Sequence, residues 1–410
     1  MRVLIVSTHD QQGGAAIAAY RLLEALNKNG ATAHMLTINK KSDNVNVIEV
    51  GNRLMNKIRF TTERGIIYIQ NGFSKKNLFD ISIANTGVSI TNHPEFKKAD
   101  VIHLHWINQG MLSIKEIGNI VASGKKIVWT MHDMWPFTGI CHHAGACNHF
   151  ETGCGWCPFL QMPMKKDLSY TTFLCKQAAY SFGLIHFVAC SNWLKKQALK
   201  SQLTTYHKVS AIANPLNTDL YKPKDKAELR KIMNLPTDKK IVLFAAAKVS
   251  DKRKGIDYLI KASKILSKNK TNILFLIVGG NSEEIMSQLA LPAINVGYVT
   301  SSNMPDIYNA VDLFVTPSLQ ENLPNTIMES MACGTPCVGF NVGGIPEMID
   351  HKQNGFVAKY KDSQDLANGL IWVLQKASIK VLSDNARNKA VENYSETIIA
   401  KKYMDIYNKE

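Results

Sequence analysis

Long apolar runs are missing from this chain of 410 residues. None reaches the ~18–20 residues that a membrane-spanning helix requires. The opening MRVLIVST carries one arginine and a short apolar stretch without a small-residue cleavage site, so it reads as a first strand and not as a signal peptide. The expectation is a cytoplasmic protein, in which the eight cysteines are mostly reduced. Acidic residues are scarce, 33 against 48 lysines and arginines, leaving a net charge of +15. That balance suits nucleic acid, anionic lipid or polyphosphate ligands. There is no arginine-rich arm and no aromatic-interleaved RNA-binding segment, so nucleic acid is not expected as a partner. Peripheral attraction to the anionic cytoplasmic face of the inner membrane fits better, each nearby basic residue adding roughly 1 kcal/mol. Internal repeats and low-complexity tracts are also absent.

What is present is an alternation of strand-like and helix-like patterns, the mark of α/β architecture with parallel sheets. In the first half strands are predicted at 2–7, 32–38, 100–106, 126–132, 185–190 and 208–213, with helices near 15–29, 113–123, 171–182 and 192–201. In the second half the strands fall at 240–246, 272–278, 293–296, 312–316 and 336–340. Helices are predicted there near 256–267, 282–289, 305–310, 324–332 and 363–375. The length favours two domains. The polar, proline-punctuated stretch 214–224 is the best linker, giving domains over 1–214 and 215–384.

The most informative segment is SLQENLPNTIMESMACGTP, residues 318–336. It follows DLFVTP, which reads as a buried parallel strand. Pro324 suits the first helical position, and Gly334 with Pro336 marks the helix end. The amides of Asn325 and Thr326 then form the positive end of a helix leaving a strand's carboxyl edge, a seat for phosphate. Glu329 lies one turn deeper on the same face, where a carboxylate accepts hydrogen bonds from vicinal hydroxyls. Glu321, before the helix, is expected on the other side of the phosphates. Hydroxyl acceptor, phosphate seat and hydroxyl acceptor in that order fit a nucleoside diphosphate sugar.

This segment resembles the donor-site motif of retaining GT-B glycosyltransferases of family GT4, in which two glutamates are separated by seven residues. Here they are Glu321 and Glu329, with Asn322-Leu323-Pro324 in place of the usual glycine-rich wording. The resemblance implies the GT-B fold, two Rossmann-like domains with parallel sheets facing across a cleft, and final helices, 385–410, that cross back to the first domain. It implies that Glu321 positions the donor sugar and steadies positive charge on it, while Glu329 holds the ribose.

Other matches follow. Gly13 and Gly14, in the turn before the first helix, let backbone approach a phosphate closely. A plain tight turn would look the same, but the resemblance sets a glycine-rich loop here against the donor phosphates. Lys248 follows the apolar run IVLFAAA at a strand's carboxyl end, where α/β ligands bind. Lys254 lies six residues on in the crowded run Asp251-Lys252-Arg253-Lys254. Two cations at a strand tip stabilise a departing diphosphate; whether Arg253 or Lys254 reaches it stays open. His132 ends the strand in WTMHD, and in GT4 relatives this histidine lies against the donor sugar. His103 and His105 alternate along a strand and are expected on opposite faces, His103 structural and His105 at the cleft border.

In CHHAGACNHFETGCGWC, Cys141, Cys147, Cys154 and Cys157 fall within seventeen residues, a spacing that suits a structural, tetrahedral zinc site. Free thiols are the alternative. A subset of bacterial exopolysaccharide GT4 enzymes, including colanic-acid-type transferases, shows a similar insert. Cys175, Cys190, Cys333 and Cys337 read as small core residues. Residues 53–79 mix basic and bulky apolar side chains, which fits either a lipid-linked acceptor or membrane surface, or a core helix with a solvated basic face.

The reading is a retaining hexosyltransferase moving sugar from a nucleoside diphosphate to a glycan or lipid-linked glycan in cell-surface polysaccharide synthesis. No Asp-x-Asp metal motif occurs, so no cofactor is expected for catalysis. Two alternatives stand beside it: a GT-B sugar-nucleotide epimerase, and a non-catalytic, zinc-clamped nucleic-acid-binding protein.

Overall fold

The computed structural model describes residues 1–268 and 272–409, and they fold into two compact units. The first holds Met1–Pro215 and the chain from Ile399 on; the second holds Leu216–Ile398. The return to the first unit thus falls at Ile399 and not at 385; Glu410, the last residue of the expected third segment, lies outside the described residues.

Seven parallel strands build the first unit's sheet: β1 (Arg2–Val6), β2 (Thr32–Thr37), β3 (Val47–Glu49), β4 (Val101–Leu104), β5 (Lys126–Met131), β6 (Ile185–Ala189) and β7 (Lys208–Ala211). Their order is β3-β2-β1-β4-β5-β6-β7. An all-parallel sheet must be covered on both faces, which is why these strands read as continuous apolar runs. One face packs Leu4, Val6, Ile102, Leu104, Trp129 and Phe187. The other packs Val3, Ile5, Val128 and Val188 against Ile399, Ala400, Tyr403 and Tyr407 of the last helix, Glu396–Asn408.

The second unit carries β8 (Lys240–Lys248), β9 (Ile273–Gly280), β10 (Ala293–Gly297), β11 (Leu313–Thr316), β12 (Cys337–Phe340) and β13 (Gly355–Ala358), all parallel, in the order β10-β9-β8-β11-β12-β13. In each sheet the chain reverses its direction of travel once, at β1/β4 and at β8/β11. At such a switch point the loops leaving the two strands diverge and open a crevice at the strands' carboxyl ends, where ligands of open α/β sheets bind.

Within 53–79 the structure forms the helix Arg53–Gln70. Its inward face carries Asn56, Glu63, Arg64 and Ile67, with Glu63 and Arg64 forming a buried ion pair at 3.1 Å. Leu54 and Ile58 are exposed. Ile67 joins the core while Arg53 and Lys57 are exposed, in line with a core helix with a solvated basic face, and Glu63 accepts the amides of Ile83 and Ala84. Cys190, Cys333 and Cys337 are buried as expected, but Cys175 is exposed, on the outer side of the helix Leu168–Tyr180.

Candidate active site

The loops after β8 and β11 meet at the second unit's switch point. Gly255 adopts a left-handed φ of 72°, and a Cβ there would stand 1.8 Å from the Pro317 carbonyl oxygen. Only glycine permits this approach. It lets Leu319 donate its amide to the Arg253 carbonyl at 2.7 Å, stitching the basic loop to the glutamate loop. Lys254 Nζ consequently lies 2.5 Å from Glu321 Oε1. Arg253 turns to Asp251, with Nη2 2.8 Å from Oδ2. Of the two basic residues, Lys254 is the one at the glutamate. Lys248 ends β8 with an exposed side chain.

Behind Glu321 sits a feature the sequence reading missed. Gly343, at φ 59°, presses against the Glu321 carbonyl, which a Cβ would meet at 1.7 Å, and the Gly344 amide donates to the Asn322 carbonyl at 2.8 Å. The glycine pair before Ile345-Pro346 was the available signal. Asn322 and Leu323 are buried by this buttress.

The following helix is Asn325–Ala332, and Pro324 is its N-cap with φ −67° and ψ 120°. The expected first helical position is thus corrected by one residue: ψ at Pro324 stays extended while its carbonyl accepts the Ile327 amide. Asn325 and Thr326 open the first turn, both partly buried. Glu329 is 7% exposed, and its Oε2 accepts a hydrogen bond from the Tyr308 hydroxyl at 2.9 Å. Burial, with the Glu329 charge beside it, pushes the Tyr308 hydroxyl well above its ordinary pKa, so it remains a donor. Tyr308 was not foreseen; no spacing rule joins it to Glu329.

In the first unit Gly13 caps the helix Gly14–Lys28 with φ 90°, and the space where a Cβ would point is open. The loops after β1 and β4 are tied together, Thr8 Oγ1 donating to the Asn108 carbonyl at 2.7 Å. His132 follows β5, its Nε2 2.9 Å from His105 Nδ1 and its Nδ1 3.6 Å from Cys190 Sγ. Burial lowers His132 to about 4, so its imidazole is neutral near pH 7. The opposite-face expectation for His103 and His105 is corrected: their ring centroids are 4.4 Å apart. Alternation along a strand sets residues i and i+2 on the same face, so the opposite-face expectation misapplied the pleat. His103 is structural, bonded to Tyr407 Oη at 2.6 Å and Thr130 Oγ1 at 2.8 Å.

Asp133 is held by Trp106 Nε1 at 2.9 Å, His142 Nδ1 at 2.7 Å and the Trp135 amide at 2.9 Å. Burial alone would raise its pKa; His142 and these donors outweigh it and bring the carboxyl down to about 2. His142 belongs to the cysteine-rich segment, so that segment grips the residue next to His132. Cys141, Cys147, Cys154 and Cys157 are free thiols lining one small cavity. Among the described residues no group of three or more His, Cys, Asp or Glu side chains is placed so that it could hold a metal ion.

Two all-parallel α/β units in one chain, one with an ion-paired Lys–Glu couple at its switch point and the other with a histidine at a strand tip, are the domains of a GT-B fold. Comparison with known proteins agrees. Residues 225–394 match the family "Glycosyl transferases group 1". An uncharacterized glycosyltransferase of Methanocaldococcus jannaschii is 26% identical over 361 residues, 81% of this chain and 90% of that protein. The N,N'-diacetylbacillosaminyl-diphospho-undecaprenol alpha-1,3-N-acetylgalactosaminyltransferase of Campylobacter jejuni is 31% identical over 181 residues, 43% of this chain and 46% of that enzyme. The match thus spans less than two thirds of the C. jejuni enzyme's length. Among solved structures, HepE of Anabaena in complex with UDP-glucose superposes with TM-score 0.63 at 18% identity, over 99% of both chains. The segment 225–394 is thus similar to the group 1 glycosyl transferases, and the relatives named here are glycosyltransferases by name. The epimerase and nucleic-acid readings find no support in these comparisons.

Proposed function

We propose that the protein transfers a hexose-type sugar, with retention of anomeric configuration, from a nucleoside diphosphate sugar to a lipid-linked or polysaccharide acceptor. The observation that carries this reading is the Lys254–Glu321 pair at the mouth of the crevice between β8 and β11. Lys254 and Lys248 offer fixed positive charge to a departing diphosphate, and the first-turn amides of the helix Asn325–Ala332 add the positive end of a helix dipole. Glu321, held by Lys254, steadies the positive charge that develops on the sugar. Glu329, its second oxygen set by Tyr308, accepts the ribose hydroxyls. The leaving phosphate helps to deprotonate the acceptor hydroxyl on the same face, which keeps the anomeric configuration.

The printed names of the relatives supply the substrate classes. HepE was solved with UDP-glucose, which favours a uridine nucleotide donor, and the C. jejuni enzyme is named for an undecaprenol diphosphate acceptor. A lipid-linked acceptor also accounts for the outward apolar face of the helix Arg53–Gln70, where Leu54 (66% exposed) and Ile58 lie beside Arg53 and Lys57. Phe73 (68%) and Phe79 (66%) continue that surface on the following turn. Apolar side chains among basic ones suit an anionic leaflet, a peripheral contact at the inner membrane's cytoplasmic face. No helix among the described residues is long and apolar enough to cross a membrane.

The test is transfer from a panel of radiolabelled UDP-sugars to undecaprenyl-diphosphate-linked acceptors, with and without acceptor. Acceptor-dependent incorporation is expected. A new sugar nucleotide formed without acceptor would instead point to epimerisation, and no reaction with any nucleotide sugar would sink the reading.

A further inference from the structure

The cysteine-rich segment has features that transferase chemistry does not require. Cys141, Cys147, Cys154 and Cys157 line one small cavity with Ile140, Ala144 and Phe150, and with His149, whose Nδ1 is engaged by the Gly155 carbonyl at 2.8 Å. Between Cys154 and Cys157 the chain makes a turn of consecutive left-handed residues: Cys154 at φ 56°, Gly155 at 113° and Trp156 at 51°. Two of these carry side chains, and each such residue costs on the order of 1 kcal/mol or more unless its surroundings enforce it. The turn brings Cys154 and Cys157 to the same cavity, and their sulfurs accept hydrogen bonds from backbone amides, Gly139 to Cys154 at 3.2 Å and Phe159 to Cys157. These amides favour thiolate, but burial outweighs them and pushes Cys154 up to about 12 and Cys157 up to about 11.

A second observation is independent of the cysteines' spacing. Lys176 is fully buried beside this cavity. Its ammonium donates to the carbonyls of Trp135 at 2.6 Å and Thr138 at 3.0 Å and lies 3.3 Å from the Trp135 ring centroid. All three partners are neutral, and a buried cation is costly unless negative charge stands nearby. Burial holds the Lys176 pKa well below the usual lysine value, and Cys154, Cys141 and then Asp133 are the groups that oppose this. A divalent ion bound by four thiolates carries a net charge of −2, which a neighbouring ammonium offsets.

We propose that Cys141, Cys147, Cys154 and Cys157 hold one zinc ion as a closed tetrathiolate centre, with the buried Lys176 as its counter-charge. The thiols line the cavity without converging on a point, so binding turns the sulfurs inward and releases their protons to solvent. With four protein ligands the ion has no open position and serves as a clamp. What it clamps is visible in the chain: His142, next to Cys141, holds Asp133 at 2.7 Å. The centre is a positioning device for the strand tip that carries His132.

The test measures metal, not turnover, so its outcome does not depend on the transferase reading. Full-length protein from zinc-replete medium should contain about one zinc per chain by elemental analysis. Cobalt exchanged into it should give the intense bands of a tetrahedral tetrathiolate. Cys147→Ser, at one of the two partly exposed members of the set, should lower zinc affinity at least tenfold in competition with a chromophoric chelator. Lys176→Met should weaken it in the same direction, and Cys175→Ser, on the outer helix face, should leave it unchanged. Zinc-free protein with four titratable thiols in this segment, or peptide masses showing disulfides among them, overturns the proposal. If Lys176→Met fails to fold, the metal content of the parent protein and the Cys147→Ser affinity still decide it.

Discussion

Lys254 and Glu321 are joined across two loops, Nζ to Oε1 at 2.5 Å, because Gly255 lets the basic loop touch the Pro317 carbonyl. The pair is partly exposed, so its contribution to stability is small, on the order of 1 kcal/mol or less. In the proposed transfer its importance is catalytic. A lysine that serves both a carboxylate and a leaving diphosphate keeps the sugar and its leaving group in register.

Glu321→Gln and Lys254→Met are each expected to lower kcat by about 10²–10³-fold while shifting KM for the donor far less, since both act where charge develops. Their effects should be strongly non-additive, because removing one leaves the other without its partner. Steady-state kinetics of the two single variants and the double variant decide this. Additive losses would mean that the pair is only structural.

Glu329→Ala should instead weaken nucleotide binding, and Tyr308→Phe should do so more mildly, about 3–10-fold, through loss of one hydrogen bond that orients the carboxylate. Calorimetric titration with UDP reads both. If Tyr308→Phe bound UDP as tightly as the parent and Glu329→Ala lost only turnover, the ribose assignment would be wrong.

Gly255→Ala and Gly343→Ala should each destabilise the second unit by about 2–4 kcal/mol, because each new Cβ would meet a backbone oxygen under 2 Å away at a left-handed φ. Denaturant melts measure this. Gly13→Ala, where a Cβ points into open space, is limited to the backbone cost at φ 90° and should lose less stability.

Acid should weaken the first unit in a defined window. Burial holds His103 at about 3 and His132 at about 4, below the ordinary 6.5. Because these folded-state values are depressed, the unfolded chain takes up protons first as pH falls. The stability is therefore fully present above about 6.5 and drains as pH drops toward 4, by up to about 1.4 kcal/mol per unit for each histidine. Urea midpoints taken at about pH 7.5 and about pH 5 should fall accordingly. Asp133 contributes in a lower window, since its stabilisation is lost only below about 3.8. Equal midpoints at the two pH values would contradict the burial argument.

Stereochemistry is the remaining check. Proton NMR of the product should show the donor's anomeric configuration kept; an inverted product would rule out same-face substitution.

The long strands were legible because a parallel sheet buried on both faces demands continuous apolar runs, as in IVLFAAA of β8. The short β3 and β13 were not, nor the brief helices Pro94–Lys98, Lys226–Ile232 and Ile345–Met348, whose lengths give periodicity nothing to repeat. The predicted helix 363–375 is real to Ile371 and then widens into a π turn, Trp372–Lys376. At the site, residue types were readable and partners were not. Arg253 and Lys254 look equivalent in a row of charges; Asp251, engaging the first, leaves the second for Glu321. Tyr308 and Gly343 reach the glutamates through tertiary packing from other loops, where local spacing carries no signal.

The helix Glu396–Asn408 makes the first unit discontinuous in sequence. Tyr403 and Tyr407 seal the sheet face that Val3, Val128 and Val188 present, and their hydroxyls reach Thr130 and His103. A fragment ending at Pro215 would therefore leave that face uncovered and cost it the hydroxyl partners of two buried polar groups. For anyone exchanging donor-binding halves between related enzymes, the module to transplant is an insertion with two splice points, near 215 and near 399, and a chimera joined at the first alone inherits a lid shaped for another protein's sheet.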